Sequence, residues 1–97
     1  MRRRCRRAQA RTWCDASEAD GVSLDLQISG CTTVIESGTE STSNLPVAFA
    51  NRGLAYREKG QHDRAIQDYD QAIKLNPNYA NAYHNRGFAY RENGQHD

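Results

Sequence analysis

The sequence has little proline, two residues in 97, and no run approaching the ~20 apolar residues of a membrane-spanning helix. It also lacks a glycine-rich phosphate loop, a nucleophile elbow and an H-E-x-x-H pair, so it is expected to be neither an enzyme nor a cofactor-binding protein, with no small-molecule substrate. Its three cysteines, Cys5, Cys14 and Cys31, are unevenly spaced, with no C-x-x-C pair and no histidine pattern beside them. That spacing supports neither a disulfide framework nor a zinc site. The thiols are expected to be inert, with Cys31 a small buried hydrophobe. A secretory leader needs an apolar segment behind its basic start, and here the arginines run into Ala8, Gln9, Ala10, Arg11, Thr12 and Trp13. The chain as written is therefore expected to be cytoplasmic.

Net charge is small on average and large locally. The formal net charge of +1 conceals six arginines and no acid over Met1 to Cys14, then six acids and no base over Asp15 to Leu45. Six like charges with no apolar alternation argue for a frayed or disordered start, and the small polar run from Asp15 to Gly21 reads as a linker. Residues 1–22 are thus expected to be a basic tail and an acidic linker.

From Ser23 a helical pattern sets in, with Leu24, Ile28, Cys31, Val34 and Ile35 on one face up to about Ser37. Ser23 stands at an N-cap position, Asp25 in the first turn, and Gly38 where the chain should leave the helix. A polar loop runs from Thr39 to Asn44. Pro46 then restarts a helix at its first turn, where a missing N–H costs nothing.

From Pro46 onward the chain carries a duplication. Asn51, Arg52, Gly53, Ala55, Tyr56, Arg57, Glu58 and Gly60 return 34 residues later as Asn85, Arg86, Gly87, Ala89, Tyr90, Arg91, Glu92 and Gly94, and 12 of the 18 positions from Pro46 to Asp63 match their counterparts. A fixed period of this size signals stacked supersecondary units. Each unit should hold two helices: Pro46 to Lys59, closed by Gly60, and a second to about Leu75, stopped by Asn76 and Pro77. A further helix is expected from about Asn78 to Asn93. Gly53, Ala65 and Ala72 are small where two helices must cross, and Phe49, Tyr56 and Tyr69 are large beside them, the pattern of an antiparallel hairpin.

These residues resemble the tetratricopeptide repeat (TPR) family, of bacterial type. Its order of signature positions is met by Phe49, Gly53, Tyr56, Ala65, Tyr69 and Pro77, and again in part by Tyr83, Gly87 and Tyr90. One departure is Arg52, repeated as Arg86, in a slot that the family fills with leucine; its stem is expected to lie on apolar surface with its head in water. The resemblance implies an all-α fold, a short right-handed α-solenoid of antiparallel helix hairpins. It divides the chain into a degenerate repeat helix and loop (23–45), a complete repeat (46–79) and the first helix of a second, truncated repeat (80–97). The chain then reads as a fragment of a longer array. Ile28, Cys31, Val34 and Ile35 echo Ile66, Tyr69, Ala72 and Ile73 at a constant offset of 38, which makes Ser23 to Ser37 the second helix of the degenerate repeat. The run from Asp25 to Thr33 also resembles the entry to repeat regions of exported bacterial members, which leaves a periplasmic or secreted location open if the true N-terminus lies elsewhere.

By the same resemblance the function is that of a non-catalytic scaffold, binding a peptide or partner protein through a concave groove. The implied groove residues are Val47, Ala50, Asn51, Leu54 and Arg57, then Asn81, His84, Asn85, Phe88 and Arg91. Asn51 and Asn85 suit a ligand backbone, and Arg57 and Arg91 a carboxylate. The competing reading is that the asparagines pack between helices and the arginines are merely solvated. Stacked repeats need neighbours, so an exposed apolar strip at Tyr83 and Tyr90, with self-association through it, is also expected. His62 and His96 recur at the same turn and read as structural or solvent-exposed. Asp70 is expected to pair with Lys74, one turn on. The alternative function is nucleic-acid binding through Arg2, Arg3, Arg4, Arg6, Arg7 and Arg11, with Trp13 for stacking.

Overall fold

The computed structural model describes residues 2–38 and 44–94. Five α-helices occur in order: α1 Arg2–Asp15, α2 Leu24–Ser37, α3 Leu45–Glu58, α4 His62–Leu75 and α5 Ala80–Glu92, with a 3-10 turn Glu18–Asp20 between the first two. Each helix packs on the next, and α3 also touches α1 and α5. This places α1, α3 and α5 in one layer and α2 and α4 in the other. The pairing of Ala50 with Ala72 and of Gly53 with Tyr69 fixes α3 and α4 as antiparallel. The result is an elongated body of 48 × 27 × 18 Å, an all-α solenoid with no strand among the described residues.

The helix ends follow from their sequences. The Ser23 hydroxyl accepts from the Leu26 N–H, and Gly38 leaves α2 in the left-handed region at φ 67°. At the end of α3 the Gly60 N–H donates to Arg57 O and the Gln61 N–H to Tyr56 O, both at 2.9 Å, which closes two orphan carbonyls in a Schellman turn. Glycine is required there because φ is +81°. After α4 the Asn76 carboxamide accepts from the Asn78 N–H across Pro77, and α5 begins at Ala80.

Helix α1 corrects the expectation of a frayed basic tail. Ala10 and Cys14, one turn apart, are each 3% exposed and join Cys31, Val34 and Ala48 in the first core cluster. Docking of this small face outweighs the repulsion among arginines that favours fraying, because helical stability comes chiefly from tertiary packing. The approach is close. A Cβ on Gly30 would lie 2.5 Å from Ala10 O and 2.7 Å from Trp13 Cβ. At this crossing Cys14 and Cys31, with Cα atoms 4.5 Å apart, are joined as a disulfide, which replaces the expectation of two inert thiols.

The second hairpin uses the same device with the roles exchanged. Here the glycine is on the first helix, where a Cβ at Gly53 would meet Tyr69 Cε1 at 2.9 Å and Ala65 O at 3.2 Å. Tyr69 is fully buried with Ala65, Ile66 and Ala89, and half-buried Tyr56 and Tyr90 flank them. Phe49, Ile73 and Tyr79 close around Ala50, Ala72 and Ala82.

Candidate peptide-binding face and inter-helix arginines

The interface between α2 and α3 and that between α4 and α5 are built alike, contact for contact. Lys59 pairs with Asp25, and 34 residues after the first and 38 after the second, Asn93 donates to Asp63 at 3.0 Å. Arg52 Nη1 donates to Thr32 Oγ1 at 3.1 Å, and at the same two offsets Arg86 Nη1 donates to Asp70 Oδ1 at 2.8 Å. Helix α2 thus stands to α3 as α4 stands to α5. The offset of 38, read from four apolar positions, is obeyed by polar contacts that those positions do not include.

Arg52 is not an arginine with its head in water. Its Nε and Nη2 grip the two oxygens of Asp68 at 2.8 and 2.7 Å, a bidentate pair whose side chains keep 18% and 6% of their exposure. One guanidinium therefore ties α2, α3 and α4 together, with the rings of Phe49 and Tyr56 5.6 and 5.9 Å from its carbon. The hydrogen bond to Asp68 holds its pKa above the ordinary value against the opposing effect of burial. The leucine slot is filled by a cation because an acid waits on the neighbouring helix. Asp70, expected to pair with Lys74, instead reaches across to Arg86.

Of the implied groove residues, Val47, Leu54, Asn81, His84, Phe88 and Arg91 are exposed, and Asn51, Arg57 and Asn85 are half-buried. Ala50 is not on this surface; it is buried between α4 and α5. The structure brings Arg57, Phe88 and Arg91 together: the guanidinium carbons lie 4.9 and 5.1 Å from the Phe88 ring centre, and Arg57 Nε is 3.3 Å from Glu92. His84 tilts against the same ring at 6.4 Å. A separate depression lies beside Asn51, Leu54 and Glu58, walled by Ala16, Ser17 and Ala19 of the turn after α1 and floored by Gln27. Gln27 is 6% exposed and donates through Nε2 to Val22 O. None of these wall residues has a repeat counterpart, so the period gave no signal for them. His62 is half-buried at the start of α4 with Nδ1 unpartnered among the described residues, and His96 lies outside those residues.

Of the apolar strip expected on α5, Tyr83 is 42% exposed. Tyr90 is half-buried against the core of Ala65, Ile66 and Tyr69. Gly87 has no atom within 4 Å of the Cβ it would carry, in contrast to Gly53 at the equivalent place.

The fold defines a class, the α-solenoid of stacked helix hairpins, and Val47, Leu54 and Phe88 are exposed on the layer of α3 and α5. Within that class, residues 53–94 match the family model described as TPR repeat. A stretch of 40 residues is 48% identical to the small glutamine-rich tetratricopeptide repeat-containing protein 2 of Mycosarcoma maydis, covering 41% of this chain and 11% of that protein. The chain thus spans a small part of the curated relative it matches. No solved structure matches it.

Proposed function

We propose that the chain is a non-catalytic scaffold that binds an extended peptide of a partner protein along the layer formed by α3 and α5. The observation that carries this is the row of exposed Val47, Leu54 and Phe88, bordered by Asn51 and Asn85 and, at its far end, by Arg57 and Arg91 around the Phe88 ring. Apolar side chains give such a face its affinity, and the amides and guanidinium groups give it register and a preference for a carboxylate. Arg57 is already held by Glu92, which leaves Arg91 as the better placed donor to an incoming acid. The Cys14–Cys31 bridge supports an oxidising compartment as the place of action.

Selection of displayed peptides on the intact chain tests this. Selected peptides should carry an acidic residue beside an apolar one, and should lose at least tenfold in affinity on Phe88→Ser while the helical melt is unchanged. Peptides that bind Phe88→Ser and Leu54→Ser as well as the parent chain would place the binding face elsewhere.

A further inference from the structure

The depression between the turn after α1 and helix α3, about 280 Å³ in volume, is lined by hydrogen-bond acceptors with no base among its lining residues. Its floor, Gln27, is 6% exposed. The Gln27 Nε2 donates to Val22 O at 2.8 Å, which fixes the carboxamide and leaves Oε1 with no donor among the described residues. An amide oxygen this buried ordinarily has a partner. Exposed Glu58 also lines the depression and makes no ion pair among the described residues. Its repeat counterpart Glu92 is held by Arg57, and the adjacent Lys59 is taken by Asp25, so neither of these cations neutralises it. On the opposite wall the Ser17 hydroxyl donates to Asp20 Oδ2 at 3.2 Å and keeps its lone pairs for a ligand. That wall is pre-formed: the same Asp20 oxygen accepts from the Ser17 N–H at 3.0 Å, and the bridge at Cys14 ties the end of α1 to α2.

We propose that this pocket takes a lysine side chain of the bound peptide, its stem against Leu54, Ala16 and Ala19 and its ammonium among Glu58, Gln27 Oε1 and Ser17 Oγ. The inference rests on the peptide-binding reading and adds a residue that sets its specificity. An ammonium brings three donors and no acceptor, which matches one carboxylate and neutral oxygens without a base. An acidic side chain would face Glu58 with nothing to offset it, and an aliphatic one would leave Gln27 Oε1 dry and unpaired. A lysine stem packs on apolar surface while its head reaches the polar groups. The pocket lies on the α1 side of the layer, and Arg91 lies on the α5 side at the same end, as the Arg57–Glu92 pair shows. The bound peptide therefore has a direction, with its lysine toward α1 and its acid toward α5.

The probes are labelled peptides selected by display on the intact chain, each paired with a copy in which norleucine replaces lysine, and titrated with fluorescence anisotropy as the readout. Lysine should recur at a fixed spacing from the acidic residue. The norleucine copy should bind the parent chain about tenfold more weakly, by loss of a charge-assisted hydrogen bond, and should bind Glu58→Gln no more weakly than the lysine peptide does. Selected peptides without lysine, equal binding of the two copies to the parent chain, or a lysine preference undiminished in Glu58→Gln overturns the proposal. Peptides indifferent to Phe88→Ser overturn the binding face alone, since the norleucine comparison still judges the pocket. Where selection yields no peptide, Nα-acetyllysine methylamide is titrated while the Gln27 side-chain amide is followed by NMR: a saturable shift that Glu58→Gln removes supports the pocket, and no shift overturns it.

Discussion

Replacing Asp68 by alanine should be among the most damaging single changes in this chain that leave the hydrophobic core untouched. Asp68 is 4% exposed, and its loss strands a guanidinium that is itself mostly buried. Breaking a fully buried pair costs about 3–5 kcal/mol. Arg52 keeps 18% of its side-chain exposure and a hydrogen bond to Thr32, so water and one acceptor offset part of that. We expect a cost of about 2–3 kcal/mol, a sizeable share of the roughly 5–15 kcal/mol that a small domain has in total. The melting temperature should fall by roughly 10–20 °C at this chain length. Urea melts of Asp68→Ala, Arg52→Met and the double variant form a cycle, in which the double variant should cost at least ~1 kcal/mol less than the sum of the singles. A cost below ~0.5 kcal/mol for Asp68→Ala, or strict additivity, would refute the role given to the pair.

The two repeat glycines should respond oppositely to alanine. Gly53→Ala drives a methyl to 2.9 Å from the Tyr69 ring and should cost about 1–3 kcal/mol, whereas Gly87→Ala meets nothing and should gain up to about 1 kcal/mol from helix propensity, both read from thermal melts. Cys14→Ser, or reduction of the native chain, opens a loop with a sequence separation of 17 and should lower stability by about 3 kcal/mol; mass analysis without reductant should show the loss of two hydrogens in the parent chain. The Tyr69 hydroxyl is buried without a partner among the described residues, so Tyr69→Phe should be neutral or stabilise by about 1 kcal/mol in the same melts. Burial pushes the Tyr69 hydroxyl up to about 12 from 10.0. The unfolded chain therefore releases this proton first. Its contribution is complete below pH 10 and is lost as pH rises from 10 toward 12, a loss that Tyr69→Phe should abolish.

The helices α2 to α5 were legible because their signals are local or periodic. Ser23 and Gly38 bracket α2, Pro46 and Gly60 bracket α3, and Pro77 ends α4, each by a backbone preference that needs no neighbour. Helix α1 was not legible. Among its described side chains the buried ones are Ala10 and Cys14, and its close approach depends on a glycine placed on the other helix, Gly30, the reverse of the repeat arrangement at Gly53. The arginines were legible as a departure and misread in consequence, because an arginine in a leucine slot looks like a snorkelling side chain until its acid is located. Asp68 lies 16 residues away with a glycine turn between, and no pattern in one sequence ties it to Arg52 rather than to solvent. The groove positions suffered one error of the same origin: Ala50 has the right register for the inner face, yet the small residues Ala72 and Ala82 let neighbouring helices close over it.

By itself the sequence determined the helices from Ser23 onward, the hairpin around Gly53 and the 34-residue stacking of one unit on the next, since each rests on steric or periodic rules that act within a few residues or repeat along the chain. Only the tertiary structure decided which charges find each other and that Cys14 faces Cys31. Those outcomes depend on how two helices cross. The crossing is set by the summed packing of many small contacts at once, which no local stretch of sequence contains.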